Sequence, residues 1–152
     1  MRLLLVEDDP IQLKYLKVLI EDSFPDISVT TSSTYKEAMN IIDTAAYIDI
    51  FVLDIMLTDT EDDPDGVSLG VHIKELTKYT NTPVIFITSY ESRIYEAVND
   101  VHCYSFIPKP VDESLLIDTI DSLARQNTKK NDNIILRTEN GIAVPIDPNK
   151  IV

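Results

Sequence analysis

Five short apolar runs, each followed by a segment of helical period, constrain this chain more than any other feature of its sequence. The runs fall at residues 3–6, 27–29, 50–53, 84–87 and 104–107. The third and fourth are apolar without interruption, the pattern of parallel strands covered on both faces. The intervening segments repeat at helical spacing: Leu13, Leu16 and Ile20; Ala38, Ile41, Ile42 and Ala45; Leu69, Ile73 and Leu76; Ile94, Ala97, Val98 and Val101. A fifth set, Leu116, Ile117, Ile120, Leu123 and Ala124, follows the last run, and each set makes one apolar helix face. Strand then helix, five times, predicts an α/β fold: a five-stranded parallel sheet, doubly wound by right-handed crossovers with helices on both faces. In such sheets functional groups gather beyond the carboxyl ends of the strands, where the strand order reverses.

After Ala124 the pattern changes. Residues 125–133 contain no apolar side chain and predict a linker at 126–133, between a domain of residues 1–125 and a tail of 134–152. In the tail, residues 134–137 and 142–146 predict two strands around an Asn140-Gly141 turn. One hairpin cannot make a core of its own. The total of 152 residues suits one domain with an appendage. An apolar share of 44% excludes a wholly disordered acidic chain. The single cysteine, Cys103, allows no internal disulfide, which fits a reducing compartment. No segment approaches a membrane span, and the first apolar run is too short for a signal-peptide core. A cytoplasmic protein is expected.

Net charge is −13, and it is unevenly placed: residues 1–124 carry −15 and residues 125–152 carry +2. A domain this acidic is a poor non-specific ligand for nucleic acid by itself. The densest run holds Asp54, Asp59, Glu61, Asp62, Asp63 and Asp65 with no base among them. Residues 59–63 read first as a solvated loop, because like charges repel into water. Asp54 differs, because it ends an apolar strand.

Glu7, Asp8 and Asp9 directly follow the first strand, and Asp54 follows the third. These strand ends are neighbours in the predicted sheet, so Glu7, Asp8 and Asp54 converge. Crowded carboxylates repel and raise one another's pKa unless a cation joins them, and Mg²⁺ favours a few carboxylates with retained waters. Asp9, just before Pro10, reads instead as a helix cap. Thr88 and Ser89 end the fourth strand and Lys109 ends the fifth. Alone, each is an ordinary residue. Together, a hydroxyl and an ammonium beside a carboxylate–Mg²⁺ site are what a transferring phosphoryl group needs around its oxygens.

With these residues in place, the first 125 positions resemble the receiver domain of two-component response regulators. LLLVEDDP resembles the family's first strand and acid pair, FVLDIML its phosphoacceptor strand, VIFITS its hydroxyl position and FIPKP its lysine. The resemblance implies a flavodoxin-like strand order of 2-1-3-4-5. It makes Asp54 the nucleophile, phosphorylated by a sensor histidine kinase. It also implies a Mg²⁺ ion on Asp8, Asp54 and the backbone carbonyl of Met56, with Glu7 acting through water. Lys109 then pairs with the phosphoryl oxygens. Thr88 moves to hydrogen-bond the phosphoryl group, and Phe106, the switch aromatic, fills the vacated space; simple core packing is the second reading of Phe106. The readout, and a possible homodimer, use the fourth helix, fifth strand and fifth helix. Such a domain is a signalling protein that promotes its own phosphorylation and slow dephosphorylation, not an enzyme with a turnover substrate.

The chain departs from the family pattern after Asp54. Thr58 stands where proline is usual, and Asp65-Gly66 lie eleven and twelve residues after Asp54 where the family has about seven and eight. The longer acidic loop is expected to be solvated, to limit access of anionic phosphodonors, or to meet a basic partner. The tail from Ile135 to Val152 resembles the opening strands of a LytTR-type DNA-binding domain. On that resemblance the chain is a transcription regulator cut early in its output domain, and DNA is reached only through the missing part. Other readings are weaker. A haloacid-dehalogenase-like phosphatase wants an acid where Met56 stands, and a flavodoxin-like cofactor binder wants a phosphate loop where Glu7-Asp8-Asp9 stand. An interaction-only pseudo-receiver loses the acceptor, acid or lysine, and all are present here.

Overall fold

In the computed structural model, residues 1–57 and 64–139 are described. Five strands, β1 (Arg2–Val6), β2 (Ser28–Ser32), β3 (Ile50–Asp54), β4 (Val84–Thr88) and β5 (Ser105–Pro108), form one sheet. All pair in parallel in the order β2-β1-β3-β4-β5. The helices are α1 (Pro10–Ser23), α2 (Tyr35–Thr44), α3 (Gly66–Glu75), α4 (Ile94–Asn99) and α5 (Glu113–Glu139), with 3-10 turns at Thr77–Tyr79 and Glu91–Arg93. The predicted fold class and strand order are therefore observed. The chain divides into two compact units, Met1–Ile117 and Asp118–Val152, and the sheet belongs to the first.

Period-two alternation sorts the strand side chains onto two faces. Leu4, Val6, Phe51, Leu53, Val84 and Phe86 are buried in one core with Ala38 and Ile42 of α2, Leu69 and Ile73 of α3, and Ala97 of α4. The alternate residues, Leu3, Leu5, Ile50, Val52, Ile85 and Ile87, are equally buried. Leu16 and Ile20 of α1, which meets β1 and β2, are buried outside that first core. β3 and β4 are covered on both faces, which is why their sequences are apolar throughout. The edge strand β2 has fewer covered positions and uses Thr30, Thr31 and Ser32, so its observed span extends past the apolar residues that predict it. α4 is only six residues long and buries Ala97 alone. Ile94, Tyr95 and Val98 stay exposed. His102, with φ 55°, turns the chain into β5.

The C-terminal segment corrects the sequence expectation. The linker predicted at 126–133 and the strand predicted at 134–137 are both helix, because α5 continues to Glu139. Residues 125–133 contain Arg, Gln and Lys and neither Gly nor Pro, so a lack of apolar residues there removes a core face without stopping a helix. Within the second unit Ile120 and Leu123 are buried, and Arg125 pairs with Asp121 one turn earlier at 3.1 Å. The second predicted tail strand, the Asn140-Gly141 turn and the acidic residues 59–63 lie outside the described residues.

Phe86 is a fully buried side chain on the sheet face that α3 covers, and its ring end lies 3.1 Å from where a Cβ on Gly70 would sit. Phe86→Ala is expected to lower the unfolding free energy by about 3–5 kcal/mol, read by urea titration. A loss below about 1 kcal/mol would mean that this face is not tightly packed.

Candidate functional site

The sheet brings four strand ends together. β1 ends at Val6, so Glu7 and Asp8 emerge beside Asp54, the last residue of the adjacent β3. Thr88 ends β4 on the other side of β3, and Lys109 follows β5. Glu7, Asp8, Asp9, Asp54, Met56, Thr88, Ser89, Tyr90 and Lys109 line one cleft of about 200 Å³. Every predicted carboxylate, hydroxyl and ammonium of the site is in it. Phe106 is not. It pairs in register with Phe86 on β4 and is partly buried against the α2–α3–α4 side of the core. Thr88, two residues beyond Phe86, lies on that same side of the sheet.

Burial makes the cleft electrostatically tense. Glu7 and Asp54 are 1% and 4% exposed. The Lys109 ammonium donates to Asp54 Oδ2 at 2.9 Å and to Glu7 Oε2 at 3.0 Å. The Asp9 N–H donates to Glu7 Oε1 at 3.2 Å, and the Met56 N–H donates to Asp54 Oδ1 at 3.3 Å. Burial and the adjacent Asp54 push Glu7 up to about 8, against the opposing pull of Lys109. For Lys109 burial works against the charge. Its hydrogen bonds to Asp54 and Glu7 and their attraction outweigh this, and its pKa lies above the ordinary lysine value. Glu7 thus holds a proton at neutral pH when only Lys109 balances the cluster.

That imbalance tests the fit of a metal. Glu7, Asp8 and Asp54 each offer a carboxylate oxygen within 4.8 Å of the others. One ammonium cannot balance three carboxylates, and the remaining negative charge suits a hard divalent cation with oxygen ligands. The residues present fit such an ion. Asp9 stands apart from this set. Its Oδ1 accepts the Ile11 N–H at 2.9 Å as the N-cap of α1, the capping role expected from the sequence.

Two further residues shape the site. Gly66 opens α3, and its N–H donates to the Ile55 carbonyl at 2.7 Å. A Cβ there would lie 2.0 Å from the Asp54 carbonyl oxygen. However long the preceding loop, the helix start docks directly on the backbone that carries Asp54. Asp65-Gly66 is visible in the sequence as a displaced motif. Arg93 carries no sequence signal at all, yet its guanidinium pairs with Asp65 Oδ2 at 2.5 Å. Thr88 Oγ1 accepts the Tyr90 N–H at 3.1 Å, which fixes the turn after β4.

Comparison with known proteins agrees with this geometry. A family model of the response regulator receiver domain matches residues 3–121. The transcriptional regulatory proteins GlrR of Escherichia coli (strain K12) and QseF of Escherichia coli O157:H7 are each 30% identical over 132 residues. The match takes in 86% of this chain but only 28% of each relative, so the chain spans less than a third of their length. Among solved structures, the signal receiver domain of a DNA-binding response regulator from Colwellia psychrerythraea 34H superposes with a TM-score of 0.73 at 24% identity, over 82% of this chain and 98% of that one. The receiver domain of a Francisella response regulator does so with a TM-score of 0.68 at 25% identity, over 83% and 98%.

Gly66→Ala forces the start of α3 away from the Asp54 carbonyl and is expected to cost about 3 kcal/mol of stability in urea; an unchanged midpoint would show that the loop retreats freely. Glu7 makes a second prediction. Its folded pKa of about 8 exceeds the ordinary glutamate value of 4.5, so its protonated form stabilises the fold fully below the lower value, and this contribution is lost as pH rises through the upper one. In EDTA, the melting temperature should therefore fall between pH 5 and pH 8, flatten in Glu7→Gln, and recover most with Mg²⁺ at the alkaline end. A wild-type profile as flat as that of Glu7→Gln would refute the raised pKa.

Proposed function

Because the chain belongs to the response regulator receiver domain family, we propose that it accepts a phosphoryl group on Asp54 from a sensor histidine kinase. One observation carries the reading. Carboxylates from the ends of β1 and β3, a hydroxyl from β4 and an ammonium from β5 line a single cleft. An Asp54 carboxylate oxygen attacks phosphorus, and the phosphorus–nitrogen bond of the donor phosphohistidine breaks. The leaving imidazole nitrogen keeps the electron pair and takes a proton from solvent, and Asp54 becomes an acyl phosphate. Lys109, already 2.9 Å from Asp54 Oδ2, holds the carboxylate and then meets the incoming phosphoryl oxygens as a compact charge. The Thr88 hydroxyl moves to donate to the phosphoryl group, and Phe106, on the same side of the sheet, moves into the space released. Asp8, Asp54 and the Met56 carbonyl, with Glu7 through water, are the proposed ligands of a Mg²⁺ ion, which supplies neutralisation of the phosphoryl charge when bound.

The function is signalling, with slow self-catalysed dephosphorylation resetting the switch. Exposed Tyr90, Ile94, Tyr95, Val98 and Tyr104 around α4 and β5 support an output face that includes α5 and a homodimer formed through it. The relatives named as transcriptional regulators support a transcriptional output in the cytoplasm, with DNA bound by a separate module. The tail sequence from Ile135 to Val152 supports a LytTR type for that module, although α5 occupies the first of its two expected strands. No helix among the described residues is long and apolar enough to cross a membrane. Presence of acceptor, acids and lysine in one cleft leaves nothing to favour an interaction-only pseudo-receiver.

Incubation with acetyl phosphate and Mg²⁺ should add one phosphoryl group by intact mass. Asp54→Asn and excess EDTA should each abolish it, and Lys109→Ala should slow it by about 10²-fold or more. An unlabelled wild-type chain under conditions that label another receiver domain would refute the reading.

A further inference from the structure

The two loops that bracket the cleft are joined by an ion pair that the phosphoryl chemistry does not use. Asp65 caps α3 through Oδ1, which accepts the Ser68 N–H at 3.0 Å, while its Oδ2 takes the Arg93 guanidinium at 2.5 Å. On one side of this pair, Asp65 precedes Gly66, whose backbone abuts the Asp54 carbonyl. On the other side, the Arg93 N–H donates to the Tyr90 carbonyl at 3.1 Å, and the Tyr90 N–H donates to Thr88 Oγ1 at 3.1 Å. A continuous chain of contacts therefore runs from the backbone of Asp54 to the hydroxyl of Thr88 around the cleft, and the Asp65–Arg93 pair is its one charged link. The paired side chains are 23% and 34% exposed, sheltered enough to hold and open enough to part. Arg93 has a second partner close by: Glu96, one turn further along, lies 3.5 Å from its Nε. A cation between two carboxylates on different elements is a bistable arrangement.

We propose that Arg93 is a positioning residue that, with Asp65, latches the loop after β4 in its resting geometry, and that the latch opens when Thr88 turns toward a phosphoryl group on Asp54. This rests on the phosphoacceptor reading of Asp54. While the latch is closed, Arg93 fixes the Tyr90 turn, and that turn holds the Thr88 hydroxyl against its own loop. Opening leaves the guanidinium with Glu96 alone, frees the start of α4 and lets the β4 end move. The latch thus opposes phosphorylation by favouring the state in which Thr88 is turned away.

The test is the initial rate of Asp54 labelling by acetyl phosphate at saturating Mg²⁺, with thermal unfolding followed in parallel. Arg93→Met keeps the bulk of the side chain, and Asp65→Asn keeps a residue that caps α3. Each should raise the labelling rate about threefold, the size of effect that a partly exposed ion pair supplies, and the double variant should match the singles. In a Thr88→Ala background, neither substitution should change the rate, because the latch acts through that hydroxyl. A purely structural pair would lower the melting temperature and leave the labelling rate unchanged in both singles, which overturns the proposal. So would opposite signs, with Arg93→Met slower and Asp65→Asn faster, the pattern of a simple charge effect on an anionic donor. Failure of the wild-type chain to label would overturn the phosphoacceptor reading itself, before any variant is compared.

Discussion

The bond on which the site depends is the bridge from the Lys109 ammonium to Glu7 and Asp54. Two nearly fully buried carboxylates, from strands that lie side by side, are held by one charge from a third strand end. Without a cation, burial of that pair costs several kcal/mol per ion. With it the cluster is still one charge short, and burial together with the adjacent Asp54 keeps a proton on Glu7 to about pH 8. The cleft is therefore a place of stored electrostatic imbalance. On the proposed reading a divalent ion would relieve it, and a phosphoryl group, which brings negative charge of its own, would need both the ion and the lysine. Acceptor, metal ligands and ammonium form one electrostatic unit, and removing Asp54 or Lys109 alters the protonation of Glu7.

The strand order turns this local chemistry into a fold requirement. β1 and β3 are adjacent only because the chain crosses between them after β2, so Glu7 and Asp54 meet at the point where the strand order reverses. The approach of Gly66 to the Asp54 carbonyl fixes the next element. The acidic insertion before it lengthens the route from β3 to α3 without changing where α3 begins, because closing a somewhat longer loop adds little entropy, whereas a lost backbone contact at the acceptor has no substitute.

Much of this was legible in the sequence because its causes are local. Apolar runs set β3 and β4, helical spacing set the faces of α1 to α3, and the acids, hydroxyl and lysine that follow four of the five runs placed the cleft. The exceptions have physical reasons. β2 extended into Thr30, Thr31 and Ser32, since an edge strand needs few apolar residues. The segment after Ala124 is helical although its polarity reads as a linker, because only Gly, Pro or a cap would have supplied a stop. The Asp65–Arg93 pair was invisible because it joins residues 28 positions apart, and no periodicity reports a contact between two loops. The switch role of Phe106 comes from family resemblance alone; the residue lies in register with Phe86, two residues before Thr88.

The elements best placed to move are also those least buried. α4 contributes one buried side chain, Ala97, and leaves Ile94, Tyr95 and Val98 in solvent. β5 is the far edge of the sheet, with β4 as its one strand neighbour. Low burial means a low free energy for local rearrangement, so on the proposed reading a new charge at Asp54 would act on these elements first. β3 and β4 are buried along their whole length and cannot follow. Thr88 lies at the boundary between the two regimes, its backbone in the rigid strand and its hydroxyl tied to the turn beyond it. A change at Asp54 can therefore leave the sheet intact and still reach α4, because Thr88 joins the part that must stay fixed to the part that is free to move.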